Sequence, residues 1–136
     1  MDILHSLTSA FNPQAVAVVG ASDRPGSRGS FVWSGVMNGR RVHEAYPVNP
    51  KYKYIGVTSC WPSLSEVPAK IDLAVFATPS SKIEGLLKEC KKLAIPNVLI
   101  TPGDEELTAD RRWRERIAQM AREAGIRLIG PDSMGI

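Results

Sequence analysis

Five consecutive apolar residues, Ala15-Val-Ala-Val-Val19, run straight into Gly20-Ala-Ser-Asp-Arg-Pro-Gly26-Ser-Arg-Gly29. A strand with one face in water alternates polar and apolar residues. An unbroken apolar run, with β-branched valine at 16, 18 and 19, instead predicts a strand over 15–20 buried on both faces, as in the middle of a parallel sheet. A glycine-rich turn directly after such a strand, itself opening a helix, brings bare backbone N–H groups and a helix N-terminus to one spot, where a pyrophosphate can dock. The spacing is G-x5-G-x-x-G, not the G-x-G-x-x-G of dinucleotide dehydrogenases.

The rest of the chain alternates strand and helix. Helical spacing follows over 29–37, with Val32, Trp33, Val36 and Met37 on one side and Gly39 as a stop. A second strand over 43–48 ends at Pro47-Val-Asn-Pro-Lys51. The stretch 52–68 reads as irregular, with a turn signal at Trp61-Pro62 and one helical turn near 63–67. A third strand over 72–77 meets Thr78-Pro-Ser-Ser81, where Ser81 and Glu84 have capping-box spacing and Pro79 suits a first helical turn. The helix they open carries Ile83, Leu86, Leu87, Cys90 and Leu93 on one stripe. A fourth strand over 97–101 follows. A long helix from 107 is expected to bury Trp113, Ile117, Met120, Ala121 and Ala124, to end at Gly125, and to give way to a fifth strand over 127–130. About five strands alternating with helices, joined by right-handed crossovers, predict an α/β fold: a Rossmann-like, doubly wound parallel sheet with helices on both faces.

Composition narrows the function classes. At 136 residues the chain is read as one domain, long enough to bury roughly two-thirds of its unfolded surface. No apolar run approaches the roughly 18 residues of a membrane span. Met1-Asp-Ile-Leu-His5 lacks the basic and apolar regions of a signal peptide, which makes the cytoplasm the expected compartment. Cys60 and Cys90 are too few and too far apart for a metal site or a disulfide framework. A net charge of +3 weakly favours an anionic ligand and does not call for nucleic acid. The run Arg111-Arg-Trp-Arg-Glu-Arg116 reads as a solvated helix face, with Trp113 on the buried stripe and the arginines fanned over the outside.

In a doubly wound sheet the ligand lies beyond the carboxyl ends of the strands. Within the first turn, Gly20, Gly26 and Gly29 with Ser22 and Ser27 suit phosphate, and Arg24 and Arg28 are candidates for phosphate contact by charge. A dehydrogenase usually places Asp or Glu after its second strand to hold a ribose hydroxyl. Here that position reads Val48-Asn49-Pro50-Lys51. A lysine there attracts an extra phosphate, such as the 3′-phosphate of coenzyme A or the 2′-phosphate of NADP. No Walker A lysine follows the glycines, which argues against NTP hydrolysis by a P-loop. Catalytic candidates are few: His5 and His43 read as ordinary histidines, Cys60 lacks a basic neighbour, Cys90 lies on the apolar stripe, and Ser22 and Ser27 lack a base partner.

Phe11-Asn-Pro-x-x-Val16-Ala-Val-Val-Gly-Ala-Ser22 with Pro25-Gly26-x-x-Gly29 resembles the N-terminal CoA-binding domain of NDP-forming acyl-CoA synthetases, the succinyl-CoA ligase α-subunit superfamily. Tyr46-Pro-Val-Asn-Pro-Lys51, Trp61-Pro-Ser-Leu64, Ile71-Asp-Leu-Ala-Val75 and Gly125-Ile-Arg-Leu-Ile-Gly-Pro131 continue the resemblance in order, over nearly the whole chain. It implies coenzyme A as the cofactor, with Gly20, Ala21, Ser22 and the arm through Gly29 cradling its phosphates. Asn49, Pro50 and Lys51 would line the adenosine-phosphate side. Ala77, Thr78 and Pro79 would pack on adenine or pantetheine, and Gly130-Pro-Asp-Ser133 would lie near the thiol end. Such ligases join an acid to CoA with NTP cleavage through acyl phosphate and a phosphohistidine in a later domain. The isolated chain is therefore expected to bind CoA or acyl-CoA without turnover, as a domain of a longer protein whose other domains or partner subunit are its partners. Neither nucleic acid nor membrane is implied, and a homo-oligomer stays open. Two departures, Asp132 where ligases commonly carry Asn and Thr101-Pro-Gly-Asp-Glu105 where a Gly-Phe stretch is common, fall at the catalytic end of that family. The alternatives are an NAD(P)-binding oxidoreductase or redox-sensing domain and a stand-alone regulatory CoA-binding module.

Overall fold

Strand β1 (Ala15–Val19) is buried along its whole length because it has a neighbour on each edge and a packed layer on each face. It pairs in parallel with β2 (Glu44–Val48) on one side and with β5 (Leu73–Phe76) on the other. The computed structural model describes residues 12–39, 44–101 and 110–130. Strands β6 (Asn97–Ile100) and β7 (Arg127–Ile129) complete a five-stranded, all-parallel sheet of order β2-β1-β5-β6-β7.

Alternate residues of β1 feed different cores, as the period of two requires. Ala15, Ala17 and Val19 join Ile83, Leu87 and Cys90 of helix α2 (Ile83–Lys92) and Ile117 and Ala121 of helix α3 (Arg111–Ala124). Val16 and Val18 join Trp33 of helix α1 (Arg28–Met37) on the other face. The expected doubly wound α/β architecture is thus present, with helices on both faces of the sheet.

Local signals set most boundaries. The Ser27 hydroxyl caps α1 by accepting the Ser30 N–H at 3.1 Å. Asp110 caps α3 through the N–H groups of Arg112 and Trp113, and Gly125 ends it in the left-handed conformation at φ +71°. The Asp72 carboxylate accepts the N–H groups of Gln14 and Ala15 at 2.9 and 3.1 Å, which fastens the start of β1 to the chain entering β5. Asn97, fully buried, donates from Nδ2 to the Asp72 carbonyl at 2.9 Å.

Three expectations need correction, and others lie outside the described residues. The stretch 52–68 is not wholly irregular: β3 (Tyr54–Ile55) and β4 (Thr58–Ser59) form an antiparallel hairpin about Gly56, whose φ of +60° suits the first central position of a tight hairpin turn. The Ser81–Glu84 capping box does not form. The chain enters α2 through a 3-10 turn (Ser80–Lys82), α2 begins only at Ile83, and no side chain caps either element. Glu84 pairs instead with Arg116 of α3 at 3.1 Å. Met37 is half exposed, because as the last residue of α1 it extends past the cluster that buries Trp33. His5, His43 and the expected helix start at 107 lie outside the described residues. Among the described residues no helix is long and apolar enough to cross a membrane.

Candidate functional site

Because β1 and β5 are adjacent and send their following helices to opposite faces, a crevice opens between them at the carboxyl edge of the sheet. It forms a cleft of about 800 Å³. Of the residues singled out from the sequence, Gly20, Ser22, Arg24, Ser27, Arg28, Gly29, Asn49, Pro50, Lys51, Ala77, Thr78 and Pro79 line it. Ala21 does not line it, being wholly buried beneath the turn. Gly26 is exposed, at φ +79°, and also lies off the lining. Pro131, Asp132, Ser133 and residues 102–105 lie outside the described residues. Gly130, at φ +94°, packs against the Ile100 carbonyl.

The glycines serve the fold before they serve any ligand. A Cβ on Gly29 would lie 2.1 Å from the Gly20 carbonyl oxygen, and one on Gly20 would lie 2.3 Å from the Ala77 carbonyl oxygen. The turn, the start of α1 and the end of β5 therefore approach closely enough to exclude a side chain. This contact holds the N-terminus of α1 at the cleft wall.

The loops after β1 and β2 are tied together. Gly20 N–H donates to the Val48 carbonyl at 2.8 Å, Asn49 Nδ2 donates to the Ala21 carbonyl at 3.0 Å, and Ser22 Oγ and Tyr52 OH are hydrogen-bonded at 3.2 Å. Among the described residues four cations line the cleft, Arg24, Arg28, Lys51 and Lys82, against one carboxylate, that of Glu89. Glu89 is already engaged, accepting the Leu64 N–H at 3.2 Å. The wall also holds the Thr78 hydroxyl, a buried polar atom with no hydrogen-bond partner among the described residues.

Sequence reasoning missed part of this lining. Lys82, just before α2, and Gly85, Leu86 and Glu89 within it present a second stripe to the cleft. Their spacing of three, four and seven is as legible as the apolar stripe beside it. Leu86 belongs to both, since it also packs against the core. Pro62, Ser63 and Leu64 reach the cleft because Trp61 forms a parallel bridge with Val48, a pairing with no sequence signal. Tyr52 was passed over inside a segment read as irregular.

Among the described residues the arrangement suits an anion and offers no ready nucleophile. Cys60 is buried, donates from Sγ to the Asn49 carbonyl at 3.6 Å, and has its thiol pushed up by burial. Burial pushes the Cys90 thiol up to about 12. Ser22 Oγ accepts the Arg24 N–H at 3.0 Å, and Ser27 is spent on capping α1. Among the described residues no group of three or more His, Cys, Asp or Glu could hold a metal ion. Arg111 pairs with Glu115 at 3.0 Å in the open, and Arg116 with Glu84, as a solvated helix face does.

Residues 14–136 match the family described as CoA binding domain. The chain is 33% identical over 133 residues to the acetate–CoA ligase [ADP-forming] II of Archaeoglobus fulgidus, covering 96% of this chain and 20% of that protein. It is 32% identical to the 4-hydroxybutyrate–CoA ligase [ADP-forming] of Nitrosopumilus maritimus, covering 92% of this chain and 18% of that protein. Among solved structures, it superimposes with a TM-score of 0.82 and 34% identity on the Ca. Korarchaeum cryptofilum dinucleotide forming acetyl-coenzyme A synthetase 1 in complex with phosphate and ADP, covering 93% of this chain and 27% of that one. The chain thus spans about a fifth of the length of the curated relatives it matches. It belongs to the CoA-binding domain family and is homologous to the N-terminal domain of ADP-forming acyl-CoA synthetases.

Proposed function

We propose that the cleft holds coenzyme A with its diphosphate against the Gly20–Gly29 turn and its 3′-phosphate at Lys51, and that the chain serves as the CoA-binding domain of an NDP-forming acyl-CoA synthetase. The observation that carries this reading is the cleft's composition among the described residues: four cations and one engaged carboxylate at the switch point of the sheet, with Lys51 where a dinucleotide dehydrogenase needs an acid. The residues suit the group in a second respect. The orphaned Thr78 hydroxyl offers a polar anchor beside the apolar wall of Leu64, Pro79 and Leu86.

In this reading the chain binds and orients CoA and does not carry out the ligation. The reaction, acid plus CoA plus NTP giving acyl-CoA, NDP and phosphate, takes place on further domains or a partner subunit of a longer cytoplasmic protein. The names of the relatives and the small fraction of their length that this chain covers support that placement.

Calorimetric titration with CoA, dephospho-CoA, NAD and NADP, at low and high salt, tests it. CoA is expected to bind more tightly than dephospho-CoA, with the difference shrinking at high salt. Lys51→Ala should weaken CoA by about 10- to 150-fold, the worth of one charge-assisted hydrogen bond, and leave dephospho-CoA unchanged. A preference for NAD or NADP would overturn the reading.

A further inference from the structure

We infer that Asn49 and Tyr52 are positioning residues that fix the spacing between the glycine-rich turn and Lys51, so that the cleft selects a ligand carrying two separated phosphate groups. The inference rests on the reading of Lys51 given above and goes beyond it, because it gives Asn49, which the resemblance places on the adenosine-phosphate side, and Tyr52 a role through contacts within the protein.

Both polar atoms of the Asn49 side chain are engaged within the protein. Nδ2 donates to the Ala21 carbonyl at 3.0 Å, and Oδ1 accepts the Lys51 N–H at 2.9 Å. One amide thus links the turn after β1 to the residue that bears the cation. The Asn49 backbone is held as firmly: its N–H donates to the Trp61 carbonyl at 2.9 Å, and its carbonyl accepts from Tyr52 N–H at 3.4 Å and Cys60 Sγ at 3.6 Å. The Asn49–Ala21 bond also occupies a carbonyl oxygen of the turn. A phosphate cradle needs its N–H groups toward the anion and its carbonyl oxygens away from it.

Tyr52 supplies a second bridge between the same loops. Its hydroxyl meets Ser22 Oγ at 3.2 Å, and that oxygen also accepts the Arg24 N–H at 3.0 Å, shaping the turn from within. Residues 21–24 and 49–52 are therefore cross-linked twice, once through the Lys51 backbone and once through the Arg24 backbone. Loss of either bridge lets the cationic loop drift relative to the turn. A ligand that spans both loops is penalised by this drift, and one that touches only the turn is not.

The quantity to measure is the ratio of the dephospho-CoA and CoA dissociation constants, with thermal unfolding of the free protein alongside. Tyr52→Phe keeps the ring and removes only the hydroxyl. It is expected to lower the ratio by roughly 2- to 10-fold, the range of one neutral hydrogen bond, with little change in melting temperature. Asn49→Ala should lower the ratio further, and if that variant fails to fold, Tyr52→Phe decides alone. In a Lys51→Ala background, Tyr52→Phe should change CoA affinity by less than about twofold, since coupled residues are not additive. An unchanged ratio in Tyr52→Phe, or independent multiplication of the two effects, overturns the inference while the reading of the site stands. A wild-type protein that binds CoA and dephospho-CoA alike overturns the reading of Lys51 itself.

Discussion

Replacing Gly29 with alanine tests the contact that sets the angle of α1 against β1. The added Cβ would stand 2.1 Å from the Gly20 carbonyl oxygen and 3.2 Å from both the Gly20 carbonyl carbon and Ser22 Cβ. Even close carbon–oxygen contacts lie near 3.3 Å, so helix and turn must part by about 1 Å. Neither side is the free end of a flexible side chain, and the backbone must move. Overpacking of this kind costs about 1–3 kcal/mol, against which alanine regains up to about 1 kcal/mol of helix propensity. The net expectation is a destabilisation of about 1–2 kcal/mol, or a melting temperature lower by roughly 3–10 °C for a domain of this size. Gly35→Ala is the matched control in the same helix. Its Cβ would meet nothing within 4 Å, so propensity alone operates and the protein should gain about 0.5–1 kcal/mol. Urea titrations of both variants, compared at constant m, supply the numbers. A Gly29→Ala protein as stable as the wild type, or the same sign of change in both variants, would show that the close approach is not what holds α1 in place.

Gly85 sits inside α2, lines the cleft, and has open space where its Cβ would be. Gly85→Ala should raise the melting temperature of the free protein and weaken CoA several-fold, an opposition of signs read from melts with and without CoA. Stability should also fall at alkaline pH. Cys90 keeps its proton to about 12 in the folded state, whereas the unfolded thiol ionises near 9.0. The native state thus holds more protons than the unfolded chain across that window, and stability is lost as pH rises through it, by up to about 1.4 kcal/mol per pH unit. The measurement is the difference in slope between wild type and Cys90→Ala, which should be shallower.

The sheet and most of its helices were legible because their signals are periodic and long. The unbroken run at Ala15–Val19, the stripe on α2 and the glycine stop of α3 each state one structural fact. What escaped lacks such a signal. The β3–β4 hairpin has two-residue strands, too short for alternation, and places Val57 fully in solvent against its apolar character. The capping-box spacing of Ser81 and Glu84 was present but overridden by a 3-10 entry into α2. At the other end of α2 the chain turns through Ala94 at φ +57°, a left-handed position filled by a residue that gives no stop signal. The glycine-rich side of the cleft was readable because glycine, serine and arginine cluster in one turn. Tyr52 and Leu64 reach it only through the chain's folding back along β2.

The strand order has a consequence for the chain as it is made. β1 precedes every other described strand in sequence and lies between β2 and β5 in space, so neither of its edges can be sealed locally. One edge waits for residues 44–48 and the other for 73–76. At about 5–20 residues per second, synthesis leaves the Ala15–Val19 segment without its second partner for roughly 3–12 s. It is uncharged, rich in valine and free of proline, the composition of a segment that pairs with copies of itself. The strand from which the glycine-rich turn leaves is therefore also a stretch exposed to aggregation while its second partner is still being made.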